Sequence, residues 1–134
     1  MGDDTIKIIV PVGSLGAGVR EDEVRYGVER GAQAIASDAG STDSGAAYLA
    51  LGISKNNREA VKRDLAILMK AQAEARIPLC IGSCGQAGGD AGLYWTRDIA
   101  LEIAHELGLR PKIAVISSEQ DKATLKAKNA AGKV

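Results

Sequence analysis

The chain has 134 residues, enough for one ordinary domain and one core. Hydrophobic residues make up 46% and charged residues 25%, but aromatics only 3%, with no Phe, so the core must be built from Ala, Ile, Leu and Val. Seventeen basic residues balance 17 acidic ones, which excludes a global field drawing the chain to nucleic acid or an anionic membrane.

The chain opens with "MGDDTIKIIVPV", acidic where a secretion signal would be basic, and no run approaches the roughly 20 apolar residues of a membrane span. Cys80 and Cys84 lack companions at zinc spacing. These features point to a cytoplasmic protein with reduced thiols.

Four short apolar runs predict strands buried on both faces: 6–12, 32–39, 77–82 and 112–117. Helical patterns separate them. The first, 21–31, starts with acids and stops at Gly31. The second, 57–75, has Asn57 as its cap and Val61, Leu65, Leu68 and Met69 on one face. The third, 90–108, carries Trp95, Ile99, Ile103 and Leu107 at intervals of four and ends at Gly108. A helical tail, 122–134, has little to pack against. Basic side chains are dense in 55–76 and in the tail, and the absence of interleaved aromatics favours solvated helix faces over nucleic-acid patches.

The alternation predicts a single α/β domain over 1–134, a parallel sheet of about four strands with helices on both faces, Rossmann-like and three-layered. A half (β/α) barrel shows the same alternation.

In such a sheet every strand-to-helix loop lies at the carboxyl ends of the strands, where ligands bind. The unusual residues fall in those loops. The first holds Gly13, Ser14, Gly16 and Gly18, suited either to a tight turn or to backbone contacts with an anion or carboxylate. The G-x-x-G-x-G spacing is neither the dinucleotide fingerprint nor a Walker motif, so no NAD or ATP site is implied. The second crowds Asp38, Ser41, Thr42, Asp43 and Ser44, and is read as a long connection from Ala39 to about Lys55, longer than α/β units need. The third holds Ser83, Cys84, Gly85, Gly88 and Gly89 before Asp90, a helix-capping candidate. Cys84 precedes a helix that could activate its thiol, but the chain's single histidine, His105, is 15 residues past Asp90, about 22 Å along the helix. A pocket-lining Cys84 is therefore favoured over a nucleophile, and His105 is placed at the surface, facing Asp98 and Glu102. The fourth loop brings Glu119 and Asp121. Together with Asp38, Asp43 and Asp90 these carboxylates could hold a hard cation such as Mg²⁺ or act in proton transfer; turn and capping roles remain open for each.

The segments "VPVGSLGAG", "DAGSTDSGAAYLALG", "REAVKRDL", "IPLCIGSCGQAGGDAG", "WTRDIALEIA" and "AVISSEQDK" resemble the acyclic terpene utilisation AtuA family along nearly the whole chain. Members of that family are longer, so the resemblance implies an N-terminal portion of a larger architecture. It also implies bacterial catabolism of branched acyclic terpenoids or related acids, often beside acyl-CoA enzymes, without supplying a mechanism or a catalytic residue.

Two functions follow as expectations. One is a catabolic enzyme domain acting on a small carboxylate or acyl-CoA by lyase, hydratase or acyl-transfer chemistry, with Asp38, Asp43, Asp90 and Glu119 in proton transfer or metal binding and the glycine loops holding an anionic group. The other is a non-catalytic ligand-binding or assembly domain that completes a site with another chain, as an oligomer or with a partner. A nucleotide-dependent oxidoreductase draws support from fold analogy alone.

Overall fold

A computed structural model of the chain describes residues 5–40 and 42–133; the side chains of 42–45 lie outside the description. Its elements alternate as β1 (Ile8–Ile9), α1 (Glu21–Glu29), β2 (Ala34–Gly40), α2 (Thr42–Leu51), α3 (Arg58–Ala75), β3 (Leu79–Gln86), α4 (Asp90–Glu106) and α5 (Lys122–Ala130). The strands form one parallel sheet in the order β1-β2-β3, a Rossmann-like α/β arrangement.

The helices begin and end where local chemistry dictates. The Asn57 side chain accepts the Glu59 amide at 2.8 Å and starts α3, and Arg76 in the left-handed region stops it. α3 buries Val61, Leu65, Leu68 and Met69 against Ile35 of β2 and against Ile99 and Ile103 of α4. Arg58 and Lys62, part of the basic run, turn toward α4: Glu102 takes both at 2.5 Å, and Glu106 takes Lys62 at 2.7 Å. The other two basic residues of α3 are paired as well, Arg63 with Asp64 of the same helix and Lys70 with Glu21 of α1. His105 is exposed, and Glu102, expected beside it, faces α3 instead.

Asp64 is fully buried on the apolar face of α3. Its Oδ2 accepts the backbone N–H groups of Gly16 and Gly18, each at 2.9 Å, while Oδ1 accepts Nε and NH2 of Arg63 at 2.9 and 2.7 Å. Asn56 adds a second tie to the same loop, donating through Nδ2 to Leu15 O at 2.7 Å and Ser14 Oγ at 3.0 Å. The β1-to-α1 connection is therefore pinned to α3, and Leu15 is driven into the core.

Two features depart from the sequence-based expectation. Among the described residues there are three strands and not four: 112–117 forms neither helix nor strand and pairs with no strand. Among the described residues, helices also cover one sheet face only. Register places Ile9, Ile35 and Leu79 side by side on the face packed against the core, and Ile8, Ala34, Ala36, Cys80, Asp38 and Gly82 on the other. On that second face Ile8 is 55% exposed, and Cys80, Asp38 and Gly82 are exposed as well. The two departures share a cause. A strand that is apolar on both sides gains from pairing only when both sides leave water, and here one side stays wet. For the same reason β1 shrinks to two residues, with Ile6 and Val10 beside it 73% and 71% exposed.

Removing the Asp64 carboxylate leaves two backbone donors without their acceptor. Asp64→Ala should cost about 3 kcal/mol, roughly 10 °C in Tm, by thermal or urea unfolding; a loss below about 1 kcal/mol would contradict this role. The Arg58 guanidinium first, then the Lys62 ammonium, hold Glu102 down from 4.5 to about 2. Because its folded pKa lies below its unfolded value, the contribution of Glu102 is present above pH 4.5 and is lost as pH falls toward about 2. Acid unfolding of Glu102→Gln should therefore be shallower than wild type across that window, and superimposable acid profiles would refute the link.

Candidate functional site

The parallel strands bring the first three loops to the carboxyl edge of the sheet, and hydrogen bonds join them there. Leu15 N donates to Asp38 O at 2.8 Å, tying the first loop to the end of β2. Asp38 Oδ1 accepts the Gly40 amide at 2.8 Å, a turn-forming contact, and the carboxylate is otherwise exposed. Gly40 sits against Gln86 in register after an irregularity between Asp38 and Gly40.

The first loop already holds an anion. The Gly16 and Gly18 amides that could have cradled a ligand are filled by Asp64, and Ser14 Oγ accepts from Asn56. Gly13 alone of these residues stands in open space.

The long second connection is mostly helix. α2 starts at Thr42, directly after β2, so the excess length that favoured a ligand loop disappears. Ser41 and the side chains of Thr42 and Asp43 lie outside the described residues.

In the third loop the glycines serve first to let α4 lie on β3. A β-carbon on Gly85 would collide with the backbone of Gly92, and one on Gly92 with Cys84 O. Gly88 has φ 72° and Gly89 is the residue before α4. Ser83 (φ 48°) and Gln86 (φ 84°) hold left-handed backbone without being glycine, a local cost that the close strand-to-helix packing sustains. Cys84 is buried, with Sγ 3.6 Å from Ile81 O, and burial pushes its thiol pKa up, the opposite of what a nucleophile needs. Cys84 is thus a wall residue. Cys80 is the exposed thiol.

The fourth loop does reach the third. Glu119 Oε1 accepts the Asp90 amide at 2.7 Å, Ser117 Oγ donates to Asp90 Oδ1 at 2.5 Å, and Ser118 Oγ donates to Gly88 O at 2.9 Å. The start of α4 is therefore capped by a distant carboxylate and not by its own side chain. Asp121 accepts the Thr124 amide at 2.8 Å and caps α5. Among the described residues no three His, Cys, Asp or Glu side chains come close enough to hold a metal ion, so the structure brings Asp90 and Glu119 together but does not gather Asp38 with them.

Sequence reasoning missed Asp64 and Asn56. Asp64 had a signal, since with Val61, Leu65 and Leu68 it falls at helical spacing on the apolar stripe, where an acid demands a buried partner. Asn56 had none beyond its neighbourhood to the cap.

Beside these loops, the outer edge of β3, α3, α4 and the stretch from Pro111 to Ile116 enclose a groove of about 460 Å³. Cys80, Ile81 and Cys84 line its β3 side. No helix among the described residues is long and apolar enough to cross a membrane. No protein-family model, curated protein or solved structure matches this chain.

Proposed function

We propose that the chain is a ligand-handling α/β domain that works as part of an assembly, with a second chain covering its open sheet face. The observation that carries this reading is the bare face itself. Parallel sheets are stable when both faces leave water, and here Ile8, Ala36 and Cys80, flanked by Ile6 and Val10, form an apolar surface that no helix among the described residues covers. The carboxyl edge supports the ligand half of the reading, because Ser83 and the Asp90–Ser117–Glu119 contacts put polar groups next along the chain to Cys84 and Ile116 of an apolar groove. The ligand class is a small carboxylate or an acyl-CoA, as the resemblance to the acyclic terpene utilisation AtuA family suggests.

A second reading makes the domain a catabolic enzyme of lyase, hydratase or acyl-transfer type. It is favoured by Asp90 and Glu119 sharing one edge, and opposed by their present use as a hydroxyl acceptor and a helix cap. A nucleophilic route through Cys84 is set aside on its burial and raised pKa.

The assembly reading is tested by sedimentation of the purified chain with thiol labelling. The expected outcome is a dimer or larger species at about 10 μM in which iodoacetamide reaches neither cysteine, because Cys80 is covered and Cys84 buried. Ile8→Glu should release folded monomer in which Cys80 alone reacts. A wild-type monomer with freely reactive Cys80 would overturn self-assembly through this face.

A further inference from the structure

The groove beside β3 poses three chemical demands at once. Its walls are apolar, with Leu65 and Met69 from α3, Leu79 and Ile81 from β3, and Ile113 and Val115 from the stretch 111–116. Its β3 side is a strand edge whose outward N–H and C=O groups meet no strand among the described residues, and such groups in an apolar setting require partners. Its charged lining is basic only: Arg97 and Lys112, with no carboxylate. Arg97 gives Nε and NH2 to Asp98 Oδ1 at 2.9 and 2.6 Å and keeps further donors, while Lys112 is exposed and without a hydrogen-bonded partner among the described residues.

An aliphatic acid would fill the walls but leave the strand edge unpaired. An apolar peptide strand would pair the edge but offer no anion to Arg97 and Lys112. An extended chain that alternates amides with methylenes and ends in phosphate meets all three demands. We infer that the groove takes the pantetheine arm of an acyl-CoA, laid along β3 where a fourth strand would otherwise add, with the phosphates paired to Lys112 and Arg97. The volume of about 460 Å³ falls in the range of small-ligand sites. This rests on the reading that the domain handles an acyl compound.

The test is a titration of the full ¹⁵N-labelled chain with hexanoyl-CoA, followed by amide shifts and hydrogen exchange. Saturable shifts are expected at 79–84 and 112–116, new exchange protection along β3, no comparable response to hexanoate, and about tenfold weaker binding in Lys112→Glu, an exposed change that spares the core. Shifts confined to 38–45 and 85–90 would overturn the groove while keeping the acyl-CoA reading. No response anywhere would remove both. Equal shifts with hexanoate, or β3-edge and 112–116 amides already protected in the free protein, would also overturn the inference, the first by making the groove a fatty-acid slot and the second by filling it with the chain's own strand.

Discussion

The buried carboxylate of Asp64 organises this domain. An ionised group removed from water is costly unless its lone pairs are met, and Asp64 is met by two glycine amides on one oxygen and by Arg63 on the other. That requirement fixes where the loop after β1 must lie relative to α3. Gly16 (φ 100°) and Gly18 (φ 117°) adopt backbone that points both of their N–H donors at Asp64, and a side chain at Gly16 would strike Val61. Leu15, between the ties from Asn56 and Asp64, then enters the core beside Ile35 and Leu65. A loop that reads as a ligand cradle is thus an internal anion site, and its ligand is part of the fold.

With α1 set against β1, α3 against α1, α4 and β3, and α4 against β3 through the Gly85–Gly92 contact, the covered face of the sheet is complete. The other face is not. This asymmetry explains why the apolar runs at both ends of the chain, 6–12 and 112–117, give so little strand. Hydrogen bonds alone do not hold an edge strand in water, since each exchanges with solvent for a small net gain; burial of both side-chain rows is what makes a parallel strand persist.

Much of the architecture was legible. The α/β class, the parallel sheet and the helices α1, α3 and α4 follow from apolar runs, the Asn57 cap and the stops at Gly31 and Gly108, because those signals are local. The failures are of a different kind. The strand at 112–117 has the right composition but lacks a covered partner, a fact about the whole molecule. The turn-forming residues Ser41, Thr42, Asp43 and Ser44 read as loop, yet the run from Ala46 to Leu51 carries α2 onward. The capping of α4 by Glu119, 29 residues away in sequence, has no local signature.

The candidate site inherits this division. Its glycines were legible as a place where the backbone needs freedom, but not as to why. Gly85 and Gly92 let helix and strand touch, Gly16 and Gly18 serve Asp64, and Ser83 and Asp38 are what remains exposed at the edge. Once the structural uses are subtracted, the unspent features are the polar rim around Asp38 and Ser83, the groove along β3 with Lys112, and the bare face with Ile8. They lie on or next to the part of the sheet that lacks its second layer and its fourth strand. In the reading proposed above, ligand and partner meet the protein at adjoining surfaces, and β3, which borders both the groove and the bare face, is the element through which one would bear on the other.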